Sequence, residues 1–432
     1  METLVKEIGN RESATDSELR AAQRIMGWFE DFGLANVRLE EFNVVTSRVL
    51  KEKVFLADGR QLDCSAMGNS LSTSPEGVDG EVVIVESTSP EALRRIRGKI
   101  AAINVRLNKK TFSRVMRAKP IALIFPSRTP LAPTFYGSIV AEWTEEESIP
   151  AVAISHDDLL SVMKGSKQLK ILTEIEKFTA KSRNVIGEIH GEIEDEVLLV
   201  GGHYDTVRNI LGAHDNAAGT AIVLELARIF AGEKLNRTIR FAAFGSEELG
   251  LRGSLHYAEN EKNVKNIRFY LNLDVHGILL GTQNAHLLGP EDLKALIRLM
   301  ALELGVTIQI TSEFGRGASD HMPLALYGVP SLQLARSGGA AQVMHTILED
   351  LRWCSPQAFE PVGRLSQTLL MRLLNAAEFP FEKEIPPEIA KKLEKRFEVG
   401  ELKRNQRKNI SSPEYSRARE FTETSSLFVT AT

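Results

Sequence analysis

From about residue 183 the chain alternates apolar strand-like runs with amphipathic helices, and this alternation narrows the folds open to it more than any other feature. Glu196-Val-Leu-Leu-Val-Gly201 is a continuous apolar run, as expected of a strand covered on both faces. Gly219 to Phe230 reads as a helix, Ile239 to Phe244 as the next strand, and Phe269 to Asp274 as the one after. Helices near 291–303 and 319–327, strands near 306–311 and 330–335, and a long helix over about 356–377 continue the pattern. Such alternation predicts an α/β fold: a mixed, mostly parallel sheet sandwiched by helices.

The flanking segments differ in texture. Residues of about 17–32 read as a helix with Ser17 as N-cap, closed by Gly33 and followed by a strand over Val37 to Val44. Between 46 and 177 short β-like runs (Glu81 to Val85, Ile100 to Val105, Ala122 to Phe125, Ile149 to Ile154) alternate with loops and two helices, roughly 90–96 and 110–118. This predicts a small α+β domain inserted into a larger one. The expected division is 1–45 plus 178–380, an insert over 46–177, and a charged extension over 381–432. In the extension Pro386-Pro387 open a helix with Ile389, Leu393 and Phe397 on one stripe, expected to dock on its own domain. From about 410 the composition is that of disordered segments.

A net charge of -4 offers no electrostatic reason to expect nucleic acid or an anionic membrane as partner. The only cysteines, Cys64 and Cys354, make neither a disulfide framework nor a cysteine zinc site. No signal core or membrane-spanning run is seen. A cytoplasmic protein is the expectation, although a chain trimmed of its leader would read the same. Self-association is left open.

Chemistry-bearing residues collect at the carboxyl ends of the predicted strands, the edge where ligands bind in this architecture. His203 follows the first buried strand, and Asp205, two residues on, is placed either to fix the tautomer of the ring or to form a turn pair with it. Asp215 lies in Gly212-Ala-His-Asp-Asn-Ala-Ala-Gly219, where small residues let the backbone pack close to a site at a helix start. Glu247 and Glu248 stand side by side where another strand runs out, Asp274 ends a third, and His345 follows a fourth. With one glutamate left free, five nitrogen and oxygen ligands suit two divalent ions with one carboxylate bridging. The donor types favour zinc, with cobalt or manganese as alternatives. Phosphate-loop, nucleophile-elbow and His-Glu-x-x-His patterns are absent.

The order and context of these residues resemble the M28 zinc aminopeptidases. The matching pieces are His203-Tyr-Asp205, Gly212-Ala-x-Asp215-Asn-Ala-Ala-Gly219, Glu247-Glu248-Leu-Gly, Asn272-Leu-Asp274-x-x-Gly277, Ser319-Asp320-His321 and His345-Thr346. The resemblance covers about 183–378 and the first 45 residues, and it implies a zinc-exopeptidase-like fold acting on peptides. It makes Asp215 the bridging ligand, His203 and Asp274 the partners of one ion, and Glu248 and His345 those of the other. Glu247 becomes the general base and Asp205 the group that orients His203. It also implies a cis Asp215-Asn216 peptide and a protease-associated domain as the insert. Glu349 stands where the family often has Asp, with Asp350 after it; an outer-layer role is expected for that position. His214 and His276 are extra histidines, expected to pack in loops rather than bind a third ion. Arg316 and Arg336 keep a carboxypeptidase or dipeptidase open, since they could grip a terminal carboxylate. A metal-free binding relative is the remaining alternative.

Overall fold

The computed structural model describes residues 1–127, 129–144, 148–312 and 318–397. After a helix over Asp16–Asp31, whose cap is Thr15 rather than Ser17 (its hydroxyl accepts from Glu18 N at 3.3 Å), the chain enters strand β1, Ala35–Leu56. The short β2 (Gln61–Leu62) and β3 (Cys64–Ala66) follow, then β4 (Val78–Val85), β5 (Ile100–Ile103), β6 (Ala122–Pro126) and β7 (Ala151–Ile154). The chain returns along β8, Gln168–Ile189. The remaining strands are β9 (Ile193–His203), β10 (Arg237–Phe244), β11 (Ile267–Leu273), β12 (Gly281–Leu288), β13 (Gln309–Thr311) and β14 (Ser331–Gly338).

The strand order is β13-β12-β14-β11-β9-β10-β8-β4-β5-β6-β7-β3, with β1 paired to β8. β14, β11, β9 and β10 are mutually parallel, while β8 and β12 run antiparallel to their neighbours in this set. The central sheet is therefore mixed and mostly parallel. Its apolar strands are buried on both faces, and alternate residues sort to opposite layers as a period of two requires. Leu198 and Val200 of β9 join a core with the helices Asp16–Asp31, Ala218–Phe230, Glu291–Glu303 and Glu360–Asn375. Val197 and Leu199 face the other way, toward Tyr257 of the helix Arg252–Glu259 and Leu324 of the helix His321–Leu326.

The segment between β1 and β8 builds cores of its own on the two faces of β5, β6 and β7. Ala101, Leu123 and Ala151 meet Phe112 and Val115 of the helix Lys109–Arg117, while Ala102, Ile124 and Val152 meet Leu159 and Val162 of the helix His156–Lys164. Two features were not expected from sequence. β1 and β8 are each 22 residues long and pair along nearly their whole length, from Ala35–Glu188 to Leu56–Leu169. They form a ribbon of roughly 70 Å that runs unbroken through positions 46 and 177. β12 is the second addition, inserted beside β14.

Toward the end of the described chain, the helix Pro387–Arg396 lays Ile389 and Leu393 on Leu288, Met322 and Ala325, with Phe397 packed beside them. The docking surface belongs to the chain itself. The segment from 410 onward and Arg316 lie outside the described residues. No helix among the described residues is long and apolar enough to cross a membrane.

Candidate metal centre

β9, β10, β11 and β14 run parallel, so their carboxyl ends emerge along one edge. His203 is the last residue of β9, and Asp274 directly follows β11. Glu247 and Glu248 lie three and four residues past β10, and His345 stands in the loop after β14. Asp215 comes from the turn before the helix Ala218–Phe230. Two groups of donor atoms result, each with its atoms within 4.8 Å of one another: His203, Asp215 and Asp274, and Asp215, Glu248 and His345. Asp215 belongs to both. Its Oδ1 is 3.1 Å from His203 Nε2 and its Oδ2 is 3.2 Å from His345 Nε2. His203 Nε2 is also 3.2 Å from Asp274 Oδ1, and His345 Nε2 is 3.1 Å from Glu248 Oε1. Glu247 belongs to neither group.

The backbone around these donors is held by side chains. Asp205 is fully buried and stands 3.5 Å from His203 Nδ1. It also accepts from Glu247 N at 3.0 Å, from Glu248 N at 3.2 Å and from Ser13 Oγ at 2.9 Å. One carboxylate thus faces the imidazole and anchors the neighbouring glutamates. Asn216 does comparable work across the sheet edge. Its Nδ2 donates to the carbonyls of His203 (3.2 Å) and Leu273 (2.9 Å), and its Oδ1 accepts from Gly219 N (3.0 Å) and Val275 N (3.2 Å). The Asp215-Asn216 peptide is cis. The glycines here have a steric reason: a Cβ on Gly219 would stand 2.2 Å from Leu273 O, and one on Gly202 2.3 Å from the same atom. Val275 has φ +60°, an outlier for a β-branched residue, and it turns the chain sharply after Asp274.

Several contributors could not be foreseen from the motifs. Arg11 is fully buried and donates to the carbonyls of Leu4, Gly9, Tyr204, Leu211 and Gly212. It ties down both ends of the loop from His203 to Asp215. Burial lowers its pKa to about 10, against the opposing pull of Glu349, Asp205 and Asp215, so it keeps its charge at neutral pH. Gln333 donates to Asp274 Oδ2 at 3.2 Å. Glu349 accepts from Asp215 N at 2.9 Å and from His345 N at 3.0 Å, fixing two of the three donors of the second group by their backbones. Nothing in the sequence marks Arg11 or Gln333; Glu349 is flagged only by its place in a motif.

Charge balance is the strongest local argument for a cation. Burial opposes charge on His203, yet Glu247's charge and hydrogen bonds that the ring donates to Asp205, Asp215 and Asp274 push its pKa well above the imidazole range. His345 is raised for the same reasons by Glu248 and Asp215. Burial raises Glu247 strongly and Glu248 too, and neighbouring carboxylates add to both. Asp320 and Glu349 are pushed up to about 7 and about 8, by burial first and nearby acids second. Asp320 is fully buried, and neither of its oxygens meets a hydrogen-bond partner among the described residues within standard geometry. So much negative charge around two imidazoles is short of positive charge, and carboxylate-imidazole donor sets suit divalent ions of the zinc type. His276 is spent on Leu334 O (2.9 Å), and neither it nor the buried His214 joins a donor group.

Fold and donor edge together define a mixed α/β protein with two candidate cation-binding groups at the carboxyl edge of its central sheet. Residues 184–370 match the model of Peptidase family M28. Aminopeptidase YwaD of Bacillus subtilis is 29% identical over 286 residues, 63% of this chain and 60% of that protein. The chain thus spans about three-fifths of the length of that relative. Carboxypeptidase Q of Xenopus laevis is 26% identical over 357 residues, 76% of this chain and 75% of that one. Among solved structures, BSAP, a zinc aminopeptidase from Bacillus subtilis, superposes with a TM-score of 0.72 at 24% identity, covering 90% of this chain and 96% of that one. That likeness concerns the fold.

Proposed function

We propose that this chain is a two-cation metallo-exopeptidase, an aminopeptidase that removes N-terminal residues from peptides. His203 and Asp274 would hold one divalent ion, Glu248 and His345 the other, and Asp215 both; zinc suits the donors best, cobalt or manganese next. When bound, the ions would supply the charge that lowers the pKa of a water and polarises a carbonyl. The observation that carries the reading is the unequal fate of the two glutamates: Glu248 closes the second donor group and Glu247 joins none. A base must not be consumed as a ligand. Glu247, its N–H held by Asp205, is the group left to take a proton from the attacking water and return it to the leaving amine. Asp205 would keep the His203 ring oriented with Nε2 toward Asp215 and Asp274.

Within this reading, 46–177 is a protease-associated insert between the parts of a catalytic unit, 1–45 and 178–380. The similarity to a carboxypeptidase keeps one competitor. A carboxypeptidase needs a cationic grip for a terminal carboxylate, and Arg336 already donates from Nε to Ile278 O (2.7 Å) and from Nη2 to Leu279 O (2.9 Å). That commitment favours the aminopeptidase. The decisive assay compares leucine p-nitroanilide with N-acetylated peptides bearing a free carboxyl terminus. Cleavage of the first alone, abolished by chelation and restored by Zn²⁺, is expected. Cleavage of acetylated peptides from their carboxyl end would favour the competitor, and chelator-insensitive turnover would remove the metal reading.

A further inference from the structure

We propose that Tyr136, reaching in from the segment between β1 and β8, is a positioning residue for the second cation group, Asp215, Glu248 and His345. The inference rests on the two-cation reading above.

The two loops that deliver His345 and Asp215 meet at this residue, one at its backbone and the other at its ring. Tyr136 N donates to His345 O at 2.7 Å, and Phe135 and Thr346 form an isolated antiparallel bridge beside it. On the other side, the Arg208 guanidinium lies 5.2 Å from the centre of the Tyr136 ring. Arg208 belongs to the loop between His203 and Asp215. The loop is also secured to β1 by a two-pronged ion pair: Arg208 Nη1 and Nη2 donate to Glu52 Oε1 and Oε2 at 3.0 and 2.7 Å. Nη2 also donates to Ser65 Oγ at 3.0 Å, and Ala66 N donates to Glu52 Oε2 at 2.7 Å. Arg208 and Glu52 are 19% and 24% exposed, enough burial for such a pair to hold its geometry.

His345 needs an external hold. It is not on a strand, and its φ of +61° lies in the left-handed region that costs a residue with a Cβ. Its N–H is taken by Glu349 and its carbonyl by Tyr136, so its backbone is gripped from both sides. His203 is held instead by its parallel pairing with Phe244, and Asp274 by the bond from its N–H to Leu334 O at 3.2 Å. Among the described residues, the segment carrying Tyr136 has no such link to these two donors. Releasing Tyr136 should loosen one cation and spare the other, because groups behind a ligand set its aim.

The full-length chain, stripped with chelator, is titrated with Co²⁺ and followed by absorption and calorimetry. Wild type is expected to take up two ions. Tyr136→Ala is expected to bind the second about ten-fold more weakly with the first unchanged. Tyr136→Phe, which keeps the ring beside Arg208 and so the placement of the backbone N–H that both variants retain, should recover most of that loss, and Glu52→Gln should shift the second ion in the same direction by less. Unchanged binding of the second ion in Tyr136→Ala, or equal weakening of both, overturns the proposal; should Tyr136→Ala fail to fold, Glu52→Gln is judged by the same two criteria. A wild-type chain that takes up fewer than two ions overturns the two-cation reading, and this one with it.

Discussion

The two donor groups share Asp215 but are built differently. The His203–Asp274 group stands on the ends of two neighbouring parallel strands, and its side chains are 1% and 7% exposed. The Glu248–His345 group hangs on loops, with side chains 10% and 33% exposed, and its backbone is braced by Glu349 and Tyr136. A sheet edge positions donors through the ladder it already needs to fold, whereas a loop donor needs braces of its own. The first group should therefore tolerate changes around it, and the second should register them.

On the proposed reading, the largest expected effect comes from removing the general base. Glu247→Gln should lower turnover by about 10²–10⁴ while cation content stays at the wild-type level; cation loss equal to that of Glu248→Ala would erase the distinction between the glutamates. Next come the ligands. Asp274→Asn should forfeit one ion and Glu248→Gln the other, and Asp215→Asn should weaken both, read by metal analysis after dialysis. Smaller again is Glu349→Asp, which shortens the brace between the N–H groups of Asp215 and His345. We expect about a ten-fold loss in affinity for the more weakly held ion; equal loss for both ions would mean that the brace serves the whole centre.

The smallest effect lies outside both groups. Glu18 is buried, accepts from Ala14 N at 2.9 Å and from Ser182 Oγ, and its pKa is raised to about 8, mainly by burial and with the help of Asp205's charge. A raised carboxyl pKa means that the folded state binds the extra proton. The stabilisation is complete below the unfolded value and is lost as pH rises through about 8. Glu18→Gln should therefore leave melting near pH 5 almost unchanged and stabilise the protein at pH 9, by an amount on the order of 1 kcal/mol. An equal shift at both pH values would refute the assignment.

The parts of the molecule legible in the sequence are those whose side chains state their environment. The runs 196–201, 239–244 and 269–274 are apolar because both faces are covered, and His203, Asp215, Glu248, Asp274 and His345 are conspicuous because polar groups are costly there. β8 went unread because between Glu174 and Lys181 none of its residues is buried; with no face to hide, it carries no periodic signal. β12, Gly-Thr-Gln-Asn-Ala-His-Leu-Leu, is similarly polar at its start. Arg11 and Tyr136 were illegible for another reason. The Arg11 guanidinium donates to carbonyls and Tyr136 holds His345 through its own N–H, and a backbone group has no letter in a sequence.

The long ribbon has a kinetic consequence. At one end β8 pairs with β10 from Val185 to Ile189, and at the other with β4 from Gln168 to Ile171. Between them it has β1 alone as a strand partner, with solvent reaching both faces. Such a span opens at lower free energy than the packed blocks it joins. Amide exchange along the chain should show two slow regions separated by a fast band at 174–181 and its partners 43–51. Protease nicks in the native protein should fall in that band before either block gives way.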